Sequence, residues 1–89
     1  MKIFLNGKGM TTREAFYDEI EKKLELPEQY GRNLDALYDF LTELQSADIV
    51  LINADDMLFH LDDYARAAIR AFQEAAIENP SVRFTVACN

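Results

Sequence analysis

Asp35 and Asp39, in the stretch YGRNLDALYDFL (30–41), stand four residues apart, with Tyr38 and Thr42 beside them. At that spacing two carboxylates share one face of a helix, one turn above the other. They could serve as an acid–base pair of glycosidase type, or as a fixed anionic ridge that binds a cationic partner. The first use needs a sugar cleft and apolar burial that raises one pKa, and nothing in the sequence points to either. The second needs only exposure. Stacking the two charges costs an isolated helix about 0.2–0.5 kcal/mol. The positions three and four after Asp39 are Thr42 and Glu43, so no base on that face relieves the repulsion. Asp35 has a structural reason for its place, since a first-turn carboxylate complements the helix dipole. Asp39 has a weaker one, being in mid-helix with no cationic neighbour on its face. A tyrosine, a hydroxyl and two carboxylates on one exposed ridge have the character of a recognition surface.

Other chemistry finds little support. His60 is the only histidine, which excludes a two-histidine acid–base mechanism, and its place in the run MLFHL suggests a structural role. Cys88 is the only cysteine and is expected to pack as a small hydrophobe in a terminal strand. No GxxxxGK[ST] or glycine-rich fingerprint supports phosphate binding. The acids at 55, 56, 62 and 63 lack the glycine and glutamate positions of an EF-hand loop, and Asp55 and Asp62 read as helix starters. The expectation is a protein that is not an enzyme, with no cofactor and no metal.

Charge sharpens this reading. Residues 25–63 carry ten acids and a single base, Arg32, a net −9, while the remainder is +2. Such a block repels nucleic acid and attracts a basic partner, although acidic surfaces also serve solubility. The 89 residues, 49% hydrophobic, suit one globular domain, 1–89, with a modest core. Apolar runs too short to span a bilayer, an N-terminal MKIFLNGKG without a signal-peptide apolar core, and a lone cysteine together suggest a cytoplasmic protein without membrane contact.

The elements that must carry the ridge follow from periodicity. KIFLN (2–6) reads as a strand ended by Asn6-Gly7. Thr11 and Glu14 have capping-box spacing, and Phe16, Ile20 and Leu24 continue an amphipathic helix that Pro27 stops. Gly31 permits a turn and Asn33 is a good N-cap; Leu34, Leu37, Leu41 and Leu44 then form the buried stripe of a second helix. DIVLIN (48–53) reads as a strand covered on at least one face, and ADDMLFHL as a short helix. Asp62 or Asp63 caps a helix with a stripe of Ala65, Ala68, Ile69, Phe72 and Ala76, stopped at Asn79-Pro80. VRFTVAC (82–88) closes as a strand. The order β-α-α-β-α-α-β predicts a two-layer α/β fold: a three-stranded parallel sheet with about four helices.

LPEQYGRNLDALYDFLTEL resembles the signature of the barstar family of inhibitors of the bacterial ribonuclease barnase. The match runs through Pro27, Tyr30-Gly31, Asn33-Leu34-Asp35-Ala36-Leu37, an aromatic at 38, Asp39 and Leu41-Thr42. The resemblance covers essentially the whole chain. It implies a three-stranded parallel sheet and an inhibitor whose second helix and preceding loop plug a ribonuclease active site. Asp39 would occupy the place of the RNA phosphate and Asp35 would meet cations at the mouth. Tyr38, Thr42, Gly31, Asn33 and Leu34 would line the contact, with Glu74 at its periphery. Three positions depart from the family pattern: Gln29 replaces a common aromatic, Tyr38 a common tryptophan, and Glu43 a small residue. They bear on which partner is bound: a barnase-like ribonuclease or a related nuclease toxin. An acidic module for a basic non-nuclease protein, and a small acidic homodimer, stay open as alternatives. The expected free state is a monomer.

Overall fold

The computed structural model describes residues 2–27 and 31–87. The chain runs β1 (Lys2–Asn6), a 3-10 turn (Gly7–Gly9), α1 (Arg13–Leu24), α2 (Leu34–Thr42), β2 (Ala47–Ile52), α3 (Ala54–Leu61), α4 (Asp63–Glu78) and β3 (Val82–Val86). The sheet order is β1-β2-β3, parallel at both pairings, with Ile3 beside Ile49 beside Phe84 and Leu5 beside Leu51 beside Val86. This is the three-stranded parallel sheet expected, with four helices among the described residues.

The two-residue strand period separates the faces of the sheet. Ile3, Leu5, Ala47, Ile49, Leu51 and Val82 point into the core. The opposite face carries Lys2, Phe4, Asp48, Val50, Arg83 and Thr85, all exposed or half-buried. The helices therefore cover one side, with α1 against β1 and α4 against β3. Helix α2 packs chiefly on α4. That placement buries Leu37 and Leu41 completely, half-buries Leu34 and Leu44, and leaves the far side of α2 open.

Local chemistry corrects several boundaries. The N-cap of α1 is Thr12, not Thr11: its hydroxyl accepts the Ala15 N–H at 3.0 Å. The helix stops at Leu24 because Glu25 turns left-handed, φ 55°, two residues before Pro27. Asp62 occupies the N-cap position of α4, but neither it nor Asp63 makes a side-chain cap; both carboxylates accept from Arg66, at 2.8 and 3.1 Å. The stripe of α4 also includes buried Ala75, while Ile69 and Ala76 lie at its half-buried edge. Strand β2 is shifted one residue earlier than expected, and β3 ends at Val86. Cys88 lies outside the described residues. His60 is exposed, with Nδ1 2.9 Å from the Asp56 carbonyl, so the structural role read from its apolar neighbours amounts to a local contact on its own helix.

Candidate partner-binding face

The N-terminus of α2 is built by the asparagine that the sequence nominates. Asn33 is extended (φ −150°, ψ 166°) and its Oδ1 accepts the Ala36 N–H at 2.8 Å. Gly31 stands close beneath it: its carbonyl accepts the Asn33 N–H at 2.9 Å, and a Cβ on residue 31 would lie 3.0 Å from Asn33 Nδ2. Glycine thus leaves the capping amide in place. Asp35 in the first turn and Asp39 one turn later are both exposed, and neither is ion-paired among the described residues.

Arg32, the one base of the acidic window, pairs with α1 and with neither of them. Its Nε and Nη2 donate to the two Glu21 carboxylate oxygens at 2.9 and 2.8 Å, and Nη2 also reaches Asp18 at 2.8 Å. These bonds, to Glu21 first and Asp18 second, hold the guanidinium pKa above its ordinary value. The result is mechanical as well as electrostatic. The loop entering α2 is tied to α1, and the carboxylates of α2 keep their charge uncompensated.

Two expected members of the ridge have local roles that periodicity did not reveal. Tyr38 is half-buried and packs against the core, so only part of its ring belongs to the surface. The Thr42 hydroxyl donates to the Asp39 carbonyl at 2.8 Å, which fixes the hydroxyl next to the ridge. Glu43 is exposed at the C-cap. Gln29 lies outside the described residues.

Two grooves flank α2 at its N-terminal half. One, of about 280 Å³, lies between α2 and α4 and brings Leu34, Asp35 and Tyr38 together with Glu74, over a floor that includes Ala67 and Ala71. Four expected contact residues therefore converge there, with Glu74 lying 36 or more positions from the other three in the sequence. The groove also contains Arg70, which sequence reasoning missed. Its signal was the i, i+4 spacing to Glu74 on the polar face of α4. No ion pair of 4 Å or less joins Arg70 to Asp35 or Glu74. The second groove, of about 570 Å³, is bounded by Asn33, Leu34 and Asp35 on one side and by Arg13, Tyr17 and Tyr64 on the other. Leu34 and Asp35 line both grooves and form the ridge between them. Asp39 and Thr42 lie outside both, farther along the helix.

Residues 1–89 match the family model described as Barstar (barnase inhibitor). The chain is also similar to a protein of Bacillus subtilis (strain 168) named "Putative ribonuclease inhibitor YrdF". The two are 35% identical over 79 residues, which cover 86% of this chain and 87% of the relative.

Proposed function

This chain belongs to the barstar family, and from that premise we propose that it inhibits a barnase-like ribonuclease or a related nuclease toxin by occupying its cationic cleft with α2. A cleft shaped for an RNA backbone must be cationic, and a carboxylate held on a rigid helix can replace a phosphate there. Asp39 takes the central position. Asp35 and Glu74 meet cations at the mouth, and Tyr38, Thr42, Gly31, Asn33, Leu34 and Gln29 fill the surrounding contact. The chain performs no chemistry of its own in this reading. It acts by excluding substrate from the enzyme, in the cytoplasm, and is a monomeric single domain when free.

The observation that carries the reading is the pair Asp35 and Asp39: exposed on the open side of α2 and left unpaired because Arg32 is engaged by Glu21 and Asp18. Repulsion on an exposed helix face is a local cost consistent with a binding role. The test is a ribonuclease assay on RNA, using barnase titrated with the purified chain. Stoichiometric loss of activity is expected. Full barnase activity at a large excess of the chain would remove barnase as the target and move the assay to related nuclease toxins; no inhibition of any of them, or turnover of RNA by the chain alone, would remove the proposal. Binding to a basic non-nuclease protein through the same residues, without any effect on a nuclease, would favour the wider reading as an acidic interaction module.

A further inference from the structure

The larger groove beside α2 shares Asn33, Leu34 and Asp35 with the contact just described, but its far wall, Arg13, Tyr17 and Tyr64, has no part in it. Its outer wall is a built feature. The guanidinium of Arg13 lies over the ring of Tyr64, 4.1 Å from the centroid. Tyr64 is itself held: its ring meets Phe16 edge-on at 6.2 Å and Tyr17 at 6.5 Å, and its hydroxyl is hydrogen-bonded to that of Tyr17. Phe16 and Tyr17 are core residues, so the arginine stands on a platform fixed to the interior. Stacking engages the flat face of a guanidinium and leaves the N–H donors along its edge available. Arg13 makes no ion pair with any carboxylate among the described residues. Arg32, the other arginine of this groove, has its fork engaged by Glu21 and Asp18. Of the two, Arg13 alone offers an oriented edge to an incoming group.

We propose that Arg13, stacked on Tyr64, is a second recognition point on this face and receives a carboxylate side chain of the protein partner, at the acidic rim of its cationic cleft. The inference rests on the partner docking across α2. Asp35 and Leu34 line this groove as well as the one shared with Glu74, so a body seated on α2 adjoins both. The charge around Arg13 selects the ligand. Glu14 and Asp35 border the groove, and the charge of Arg32 is already opposed by two acids. A polyanionic phosphate chain would meet that negative surround, whereas one carboxylate fits the planar fork with less repulsion. The site thus discriminates among nucleases that share a cationic centre, according to whether an acid stands at the right place on the rim.

The test uses the full chain with barnase as probe, by calorimetric titration at physiological salt. Arg13→Glu is expected to weaken binding about tenfold or more. Arg13→Lys, which keeps the charge but not the fork, is expected to lose less. Both variants should melt like the wild type, since the side chain is exposed. A panel of barnase variants, each with one surface Asp or Glu reversed to Lys, should contain one member that restores tight binding to Arg13→Glu. If Arg13→Glu binds like wild type while Asp39→Ala does not, the inference is wrong and the inhibitory reading stands. If Arg13→Glu is weak but no panel member rescues it, the loss is general repulsion and the inference is equally wrong. If Asp39→Ala binds like wild type while one panel member rescues Arg13→Glu, the Arg13 contact holds and the central role given to Asp39 falls.

Discussion

The side-chain amide of Asn79 donates to the carbonyl of Leu44 at 2.8 Å, and so ties the end of α4 to the end of α2. The same nitrogen reaches the Leu41 carbonyl at 3.1 Å. Leu44 lies two residues past the end of α2, and the Leu41 carbonyl, in the last turn, also accepts the Leu44 N–H at 3.4 Å. Replacing Asn79 by Ala should cost about 1–2 kcal/mol, because both bonds are partly buried and the Leu44 carbonyl loses the amide that reaches it. Asn79→Asp should cost more, since a carboxylate cannot donate and would sit where two helix C-termini converge. Urea denaturation of the three proteins checks the order. Equal midpoints would mean that water satisfies the carbonyls.

Gly7 and Asn53 set a second constraint. A Cβ on residue 7 would lie 2.5 Å from the Asn53 carbonyl oxygen and 3.2 Å from Met57 Cβ. Backbone at that distance cannot yield cheaply. Asn53 is fixed at φ 54°, and its amide donates to Asn6 Oδ1 at 2.8 Å. Gly7→Ala should therefore destabilise by about 1–3 kcal/mol, the usual range for overpacking. Thermal unfolding by circular dichroism reads it directly, and an unchanged melting temperature would show that α3 shifts freely.

Much of this architecture was legible because periodicity survives folding. The stripe Leu34, Leu37, Leu41 and Leu44 marked which side of α2 turns inward, and Asn33 marked where the helix begins. What stayed hidden was anything that depends on a contact distant in sequence. Asn79 reads as a helix stop, and nothing local tells that its amide crosses to Leu44. Arg32 reads as the lone base near Asp35, yet α1 supplies Glu21 and Asp18 and claims it. Arg13 and Tyr64 lie about fifty positions apart and meet only in the fold. The misplaced cap at Thr11 had a different cause. Thr11 and Thr12 are adjacent and chemically identical, and spacing to Glu14 favoured the wrong one.

Association with a cationic nuclease should be sensitive to salt mainly through its rate of encounter. The −9 window spanning residues 25–63 includes α2 and the loop before it. Its field reaches about 30 Å at 0.01 M salt and about 8 Å at 0.15 M. Stopped-flow measurement should find the association rate falling across that range far more than the dissociation rate rises. A flat association rate would assign the acidic block to solubility alone.

Asp39→Ala and Leu37→Ala should separate binding from folding on the same helix. Leu37 is fully buried, and truncating it opens a cavity, so folding should lose about 2–5 kcal/mol. Asp39 is exposed and unpaired among the described residues, so its loss should leave the melting temperature nearly unchanged. Relief of the repulsion with Asp35 could even raise it slightly. In the complex the order reverses. A carboxylate that meets several desolvated cations leaves them unpaired when it is removed, typically at a cost of about 2–5 kcal/mol in affinity. Asp35→Ala should fall between. On the proposed docking it removes a charge at the mouth rather than at the centre, and it also forfeits the favourable first-turn dipole interaction in the free protein. The check pairs thermal unfolding of each variant with titration against the nuclease. Should Asp39→Ala inhibit as well as wild type, α2 is not the inhibitory surface, and the barstar fold here serves a different contact.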